Sequence, residues 1–395
     1  MKAARKKPGP LAGVRVIDAS RVLAGPYLAM LLGDLGADVI KIERPDGGDQ
    51  TRAWGPPFVG PPGQRVSAYF VSANRNKRSV VLDLKSREGR ADFERLLVDA
   101  DILVENFLPS EWRKLGFRGR DFTRRHPRLV QCTVASYGTD GPEADRPAYD
   151  VVLQAESGLM SLTGFEEGEP VRVGVAIVDF LAALYGLSGT LAALRARDIE
   201  GRGRRVEVSM LDAGTSFLSY AAQSWLATGK QPARLGSRHP NLTPYQAFQT
   251  ADGWFVVGVG SQDLWRRFCA AIERPDLVED PRFRSSEERV KNRETLDALL
   301  AEVFARHPVA HWDRAMREHR IPAAPPAEVG DVVRRAAERG QVVDLPEGAY
   351  GPLATIAAPF LIDGLRLQPT QAPPALGEHT EEVLKTLTAG KKKRP

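Results

Sequence analysis

Short apolar runs alternate with longer, helix-like stretches through the first half of the chain. The runs predict strands, and the stretches between them predict helices. Strands are predicted at residues 14–18, 39–43, 79–84, 101–105 and 129–135, with helices at residues 27–35 and 87–98 among the connections. Strands separated by single helices form a parallel sheet with right-handed crossovers. This half is therefore predicted to be an α/β domain built on a Rossmann-like parallel sheet.

The pattern changes after residue 196. A strand is predicted at residues 206–210, followed by a helix that reaches Thr228. Residues 248–259 show a hairpin pattern around Asp252-Gly253, a pair suited to positive φ. Charged helices are predicted at residues 262–272, 287–304 and 309–318. We therefore expect a second, smaller α/β domain over residues 225–325.

Composition narrows the class of protein. The 395 residues carry a formal net charge of +5 and two distant cysteines, Cys132 and Cys269, which suits a reducing compartment. No apolar run approaches the roughly 20 residues of a membrane helix, so we expect a cytoplasmic protein with no membrane partner. The densest basic stretch, residues 118–128, lacks the interleaved aromatic residues of a base-stacking surface. We therefore expect an anionic small molecule rather than nucleic acid.

The candidate ligand site lies at the ends of the predicted strands. The first strand is not followed by G-x-G-x-x-G, so we infer no NAD site. Ligands of doubly wound sheets bind at the carboxyl ends of the strands. Those ends carry Ser20–Gly25, Glu43-Arg44, Lys85 and Asn106-Phe107.

Two carboxylates stand at predicted helix starts. Asp179 lies in the apolar run 173–186, where it caps the helix, acts as a nucleophile in a dry pocket, or does both. Asp150, after Tyr149, either begins a helix or places a second carboxyl near Asp179, where coupled titration would tune a proton.

Basic side chains also allow two interpretations. Arg44 is either a surface residue or a ligand-binding residue, and Asn74–Arg78 either contacts phosphates or forms an exposed loop. His239 has no partner at a metal-binding spacing, so we expect no metal site.

An ordered series of motifs runs through nearly the whole chain. The motifs are Leu11–Pro26, Leu32–Pro45, Asn76–Ser79, Leu82–Lys85, Val104–Phe107, Ala148–Asp150, the segment around Asp179, Gly201–Gly203, Val206–Asp212, Pro244–Phe248 and Leu376–Leu384. In this order they resemble the class III coenzyme A (CoA) transferases, the family of formyl-CoA transferase and the α-methylacyl-CoA racemases. The resemblance implies a large domain (10–200), a small domain (225–325) and a C-terminal segment (326–388) that completes the large domain. It also implies an interlaced homodimer.

The resemblance assigns roles to individual residues. It implies that Asp179 is the nucleophile and that an acyl-CoA and a carboxylic acid are the substrates, with no tightly bound cofactor. It implies CoA contacts for Val22, Leu23, Ala24, Arg44, Leu82, Leu84, Lys85, Asn106, Phe107, Lys114, Tyr149 and Asp150. Among them, Arg44 or Lys114 would meet phosphate, and Leu82 and Leu84 would enclose adenine.

Three departures bear on the substrate. Leu23 occupies the position at which formyl-CoA transferases look to have a glutamine. The loop Gly236–Asn241 is not glycine-rich, unlike the corresponding loop of formyl-CoA transferases. Tyr149 occupies the position at which the racemases look to have a histidine base. Residues 152–164 and 171–175 look most like the branch that acts on succinyl-CoA and other dicarboxylic thioesters. We therefore expect a CoA-transferase of that branch, with a cation such as Arg172 or Arg238 at the distal carboxylate. A 2-methylacyl-CoA racemase and a non-catalytic CoA- or nucleic-acid-binding protein are the alternatives.

Overall fold

The computed structural model describes residues 9–117 and 122–389, so residues 118–121 of the basic stretch lie outside the described residues. The elements of the first part of the chain are β1 (Arg15–Ala19), α1 (Ala24–Asp34), β2 (Asp38–Glu43), β3 (Phe58–Val59), β4 (Val66–Ser67), α2 (Ala68–Ala73), β5 (Lys77–Val81), α3 (Arg87–Val98), β6 (Ile102–Glu105), α4 (Pro109–Lys114), β7 (Val130–Ala135), α5 (Asp150–Glu156), α6 (Leu159–Leu162), α7 (Ile177–Glu200), β8 (Arg205–Ser209) and α8 (Met210–Phe217).

The remaining elements are α9 (Ser219–Thr228), β9 (Tyr245–Gln249), β10 (Trp254–Gly258), α10 (Gln262–Ala271), α11 (Ser286–Lys291), α12 (Arg293–Phe304), α13 (Val309–Glu318), β11 (Ala323–Ala324), α14 (Val329–Glu338), β12 (Val342–Asp344), β13 (Ala354–Ile356) and α15 (Thr380–Ala389).

Six strands form one sheet in the order β5-β2-β1-β6-β7-β8, and every neighbouring pair is parallel. Counted along the chain, this is the 3-2-1-4-5-6 order of Rossmann sheets. The predicted parallel sheet is therefore confirmed. The strand order reverses between β1 and β6, so the loops after these two strands diverge and open a crevice at the carboxyl edge of the sheet.

Helices cover both faces of this sheet. On one face, the apolar side chains of α1 and α7 pack on Val130, Cys132 and Val134 of β7. On the other face, Phe93 of α3 and Val383 of α15 join a second core cluster with residues of β1, β2 and β6. Because both faces of the sheet are covered, side chains on both sides of each strand are buried, which explains why the strand segments are almost continuously apolar.

Helix α7 is long and apolar enough, by length and composition alone, to span a membrane. The expectation that no apolar run approaches the length of a membrane helix is therefore wrong. Its buried residues include Val178, Ala182 and Ala183, which belong to the same core cluster as β7. A helix in the core of a protein can be as long and as apolar as a membrane-spanning helix. The first turn of α7 carries Asp179.

Some predicted boundaries are wrong. β5 begins at Lys77 rather than at residue 79, because Lys77 is fully buried as part of the sheet. The single helix predicted to reach Thr228 is two helices that part before Ser219, whose φ of 46° cannot continue a right-handed helix. The helix predicted at 287–304 is likewise divided at Asn292 into α11 and α12.

The chain divides into two compact units. The first comprises the described residues up to Leu159, then Arg172–Leu226, and the described residues from Ala336 onward. The second comprises Met160–Val171 and Ala227–Arg335. In the second unit β9 and β10 pair antiparallel, with Thr250 closing the turn onto Gly253, so the hairpin prediction is confirmed.

Candidate active site

The loop after β1 is tied to the loop after β6 at the point where the strand order reverses. The backbone N–H of Arg21 donates to Asn106 Oδ1 at 2.9 Å, and Asn106 Nδ2 donates to the Arg21 carbonyl at 2.8 Å. Both polar atoms of the Asn106 amide are thus engaged by the protein backbone. Asn106, which the resemblance assigns to CoA, therefore holds the Ser20–Gly25 loop in place.

A cavity of about 610 Å³ opens at this carboxyl edge. Its walls come from the residues that follow β1, β2, β5 and β6, together with α4. Six of the residues implied to contact CoA line it: Arg44, Leu82, Leu84, Lys85, Phe107 and Lys114. The cavity thus brings together side chains from four separate segments, as the rule for strand ends predicts.

Several charges of the cavity wall are already paired. Glu43 pairs with Arg52, Asp49 with Lys41, and Glu111 with Arg21. Arg44, Lys85 and Lys114 form no ion pair with any carboxylate in the described part of the chain, and Arg44 donates only to the Gly48 carbonyl. Three cations are therefore available to an anionic ligand.

Asp179 does not cap its own helix, so the capping interpretation is wrong. α7 begins at Ile177 with Ala176 at the N-cap, which places Asp179 inside the first turn. Its Oδ1 accepts instead from the backbone N–H of Ala24 at 3.2 Å, at the first residue of α1. The N-cap residue of α1, Leu23, has no side-chain oxygen, so Asp179 supplies a negative charge to the α1 N-terminus.

Asp150 holds the start of α7. Its Oδ1 accepts from the Val178 backbone N–H at 2.8 Å, and Gln154 Nε2 donates to its Oδ2 at 2.6 Å. Asp150 itself lies in the first turn of α5, after Tyr149 at the N-cap. It is a buried carboxylate, and its charge reaches Asp179.

The Asp179 carboxyl is electrostatically disfavoured as an anion. Burial, and then the negative charge of Asp150, raise its pKa to about 7, against the opposing effect of the hydrogen bond from Ala24. A carboxylate with a raised pKa is a better nucleophile than an ordinary aspartate.

The remaining residues implied to contact CoA in this region form the loop into α1. Val22 has a φ of 72°, an outlier for a β-branched residue, and its N–H points to the Asp49 carboxylate at 3.3 Å. The Leu23 side chain is buried, and Ala24 offers its N–H to Asp179. This loop connects the cavity wall at Ser20 and Arg21 with the Asp179 carboxyl.

Trp54 is in ring contact with two tyrosines, Tyr69 and Tyr149, and of these three residues only Tyr149 was predicted from the sequence. Trp54 contacts Tyr69 edge-on with 5.3 Å between ring centroids, and its ring centroid lies 6.3 Å from that of Tyr149. Burial and the charges of Asp179, Asp150 and Asp49 raise the pKa of Tyr69 to about 12, so its phenol remains a hydrogen-bond donor. Trp54 and Tyr69 lie outside the motifs, and only the tertiary structure brings them to the site.

Other candidates lie elsewhere. Both interpretations of Asn74–Arg78 are wrong for its central residues, because Arg75, Asn76 and Lys77 are buried and paired inside the protein. Arg238 belongs to the second unit and pairs with Glu294 there.

Two further substrate-binding candidates from the sequence, Arg172 and the loop Gly236–Asn241, also lie outside the cavity. Arg172 is exposed in the first unit and donates to the Val173 carbonyl. The loop Gly236–Asn241 bonds within the second unit, through Gly236 N–H to the Gly164 carbonyl.

Comparison with known proteins gives the family. The family model for CoA-transferase family III matches residues 11–380. The chain is 36% identical over 378 residues to a succinyl-CoA:glutarate CoA-transferase of Mus musculus, covering 95% of this chain and 86% of that protein. It is 40% identical over 327 residues to an acetyl-CoA:oxalate CoA-transferase of Acetobacter aceti, covering 82% and 83%.

The fold agrees with this match. A CAIB/BAIF family protein from Brucella suis superposes with a TM-score of 0.85 at 34% identity, covering 96% of this chain and all of that one. The chain therefore belongs to CoA-transferase family III and is an enzyme, as the motifs predicted.

Proposed function

We propose that the protein transfers CoA from an acyl-CoA to a carboxylic acid through a covalent intermediate on Asp179. The observation that carries the proposal is the placement of this one carboxyl. It is buried, its pKa is raised to about 7, and it accepts a hydrogen bond from the N–H of Ala24, the first residue of α1 after the loop that borders the cavity. A nucleophile with an adjacent N–H donor is the arrangement that acyl transfer needs.

The transfer takes four steps. The Asp179 carboxylate attacks the donor thioester carbonyl, which releases CoA thiolate and leaves a mixed anhydride. The thiolate attacks the Asp179 carbonyl of the anhydride, so the donor acid leaves and an aspartyl-CoA thioester remains. The acceptor carboxylate attacks that thioester, which releases CoA thiolate again and gives a second anhydride between Asp179 and the acceptor. The thiolate then attacks the acceptor carbonyl, releasing the new acyl-CoA and the Asp179 carboxylate.

The chain's own residues would assist each step. The Ala24 N–H lies beside the carboxyl that carries the acyl group, so it can donate to an oxyanion formed there. The Tyr69 phenol stays protonated, because burial and the charges of Asp179, Asp150 and Asp49 raise its pKa to about 12, and it would offer a second donor. Burial excludes the water that would hydrolyse an anhydride.

We propose that the cavity of about 610 Å³ receives the nucleotide part of CoA. Arg44, Lys85 and Lys114 would meet its phosphates, and Leu82 and Leu84 would contact adenine. The free cations and the two apolar side chains on one wall support this assignment. Val22, Leu23 and Ala24 would follow the pantetheine arm toward Asp179.

We further propose that the substrates include dicarboxylic acids. Glutarate and oxalate, named for two relatives, both carry a second carboxylate, and one of these relatives is named for succinyl-CoA. Arg172 is the better candidate for the distal carboxylate, because Arg238 is already paired with Glu294. Leu23 cannot donate the hydrogen bond that a glutamine would give.

A substrate matrix tests this function. Succinyl-, glutaryl-, acetyl- and formyl-CoA are each incubated with succinate, glutarate, oxalate and acetate, and new CoA esters are identified by mass spectrometry. We expect succinyl-CoA to exceed formyl-CoA by at least about tenfold in kcat/KM, which is roughly 1.4 kcal/mol. Equal or faster transfer from formyl-CoA to oxalate would refute the dicarboxylic assignment. Loss of an α-deuterium from 2-methylacyl-CoA without transfer would instead indicate the racemase.

We propose that the enzyme works as a homodimer. None of the residues of α9 is buried, and Tyr220, Trp225 and Leu226 are exposed to 60%, 51% and 68%. So many large apolar side chains on one short helix are typical of a surface covered by another subunit.

A further inference from the structure

Two fully buried lysines lie beneath the loop that carries the Ala24 N–H. Lys77 Nζ donates to Asp18 Oδ2 at 2.8 Å, to the Asn74 side chain at 2.9 Å and to the Pro26 carbonyl at 2.8 Å. These three acceptors account for all three ammonium protons. Lys41 Nζ donates to the Ser20 carbonyl at 2.9 Å.

The lysines share a balanced set of buried charges. Lys41 Nζ lies 3.0 Å from Asp49 and 3.9 Å from Asp18, and Asp18 is also the partner of Lys77. Burial opposes the ionisation of both aspartates. Lys77 and Lys41 nevertheless lower the pKa of Asp18, and Lys41 together with hydrogen bonds from Thr51 lowers the pKa of Asp49. Two ammonium groups and two carboxylates therefore form one neutral network inside the protein.

Every charged member of the network also contacts the backbone of the loop. Lys41 binds the carbonyl of Ser20 at the start of the loop, and Lys77 binds the carbonyl of Pro26 in the first turn of α1, which follows the loop directly. Asp18 accepts from the Ser20 N–H at 3.0 Å. Asp49 faces the Val22 N–H at 3.3 Å. The loop is thus fixed at both ends and in the middle.

The loop requires these contacts because its backbone is strained at Val22. Val22 holds a φ of 72°, a left-handed conformation that is strained for a β-branched residue. A loop with that strain would relax to other conformations if its contacts were removed. Two residues later the Ala24 N–H meets Asp179 at 3.2 Å, a geometry that relaxation would change.

We propose that Lys41 and Lys77 are positioning residues that clamp the Ser20–Pro26 loop and so aim the Ala24 N–H at Asp179. The inference rests on the proposed role of Asp179. It also gives a function to the basic motif Asn74–Arg78, whose lysine reaches the active-site loop from inside the protein rather than a phosphate from outside.

A buried ion pair close by provides a matched control. Arg75, two residues from Lys77, is also buried, and it pairs with Asp34 at 2.6 Å. Its remaining hydrogen bond, from Nη1, goes to Thr355, so none of its hydrogen bonds in the described part of the chain reaches Ser20–Pro26. Lys77→Met and Arg75→Met each remove one buried cation, but only the first removes a loop contact.

The test measures loop order and chemistry in both variants. Hydrogen exchange read by mass spectrometry should show faster exchange in the peptide covering residues 20–28 of Lys77→Met. We expect kcat to fall at least about tenfold, with the KM for acyl-CoA changed less than about threefold, because a misplaced donor affects the transition state. Arg75→Met should lose stability but keep wild-type kcat and wild-type exchange in residues 20–28.

A double variant separates loss of loop positioning from loss of folding. In Lys77→Met with Asp18→Asn, no carboxylate is left unpaired, so this protein should fold and show the same slow turnover. Unchanged exchange in residues 20–28 with wild-type kcat would overturn the proposal. So would failure of both variants to fold, or an equal loss of kcat in Arg75→Met, since either would make the lysines general stabilisers of the fold. If the wild type forms no adduct on Asp179, the proposed function fails, whatever the exchange shows.

Discussion

At the scale of single residues, the site depends on two carboxyl groups with different roles. Asp150 has both oxygens engaged by Val178 and Gln154, so it is held as a fixed neighbour. Asp179 has one backbone donor and a raised pKa. The environment thus separates a structural carboxylate from a reactive one that lies beside it.

This difference predicts the pH dependence of the reaction. Asp179 must be ionised to attack, so kcat/KM should rise with pH and level off above an apparent pKa of about 7. Asp150→Asn removes the neighbouring negative charge and keeps an oxygen for Val178, so the rise should move to lower pH. Stopped-flow rates from pH 5 to pH 9 measure both curves. A profile of the variant that moves to higher pH would contradict this coupling.

Arg44 tests the assignment of the cavity. Its guanidinium has no described carboxylate partner, so phosphate would be its main ligand. Arg44→Ala should weaken acyl-CoA binding by roughly 1.5–3 kcal/mol, the scale of a charge-assisted hydrogen bond, and should raise KM more than it lowers kcat. Arg317→Ala, which removes an exposed arginine of α13, is the control. An unchanged KM would show that phosphate lies elsewhere.

At the scale of elements, the site depends on how closely α1 and α7 pack, because one carries the donor and the other the carboxyl. A Cβ added at Gly186 of α7 would lie 2.4 Å from Leu28 Cδ1 of α1 and 3.5 Å from Cys132 Sγ. Leu28 is fully buried in the core cluster that α1 shares with α7 and β7, so its Cδ1 could give way only by displacing neighbouring core side chains. Glycine therefore sets the distance between these two helices.

Substitution of two helical glycines checks this argument. Gly186→Ala should lower the thermal midpoint, because overpacking costs about 1–3 kcal/mol and exceeds the gain in helix propensity of up to about 1 kcal/mol. Gly330→Ala, where the nearest atom is the flexible Arg334 side chain at 3.6 Å, should raise it slightly. Calorimetry of both proteins measures the difference. A stabilised Gly186→Ala protein would contradict close packing there.

At the scale of the whole molecule, the exposed apolar surface of α9 predicts self-association. We expect light scattering after gel filtration to give the mass of a dimer. Trp225→Asp with Leu226→Asp should shift the protein toward the monomer, because each charge would be buried at the contact. Val98→Asp, at an exposed but isolated apolar position, should leave the mass unchanged. A monomeric wild type would refute the dimer.

The architecture could be predicted because its signals are local. Apolar runs and the helices between them determine a parallel sheet, and parallel strands bring Arg44, Leu82 and Phe107 to one edge wherever they lie in the sequence. The motifs added the family, which no single strand or helix specifies.

What could not be predicted depends on partners distant in the sequence. The Asn74–Arg78 motif looks exposed, yet Lys77 is neutralised by Asp18, 59 residues earlier. Asp179 looks like a cap of its own helix, yet its donor is Ala24, 155 residues away. Trp54 and Tyr69 belong to no motif and reach the site only through the folded chain.

The most direct test of the central claim is whether acyl-CoA labels Asp179. The Asp179→Asn variant is its control, and its folding can be checked independently. Because the folded wild type has a raised Asp179 pKa, its stability falls as pH rises from about 4 to about 7. The variant lacks this loss, so at pH 8 it should be more stable by up to about 4 kcal/mol, since the pKa rises by about three units from 3.8 and each unit corresponds to about 1.4 kcal/mol.

The measurement itself mixes enzyme with succinyl-CoA, quenches with hydroxylamine or borohydride, and maps the modified peptide by mass spectrometry. We predict a modification at Asp179 in the wild type and none at that position in Asp179→Asn, whose amide cannot form an anhydride. Transfer by the variant should fall at least about a thousandfold. A folded Asp179→Asn protein with near-normal transfer, or a wild-type adduct on another residue, would contradict the account.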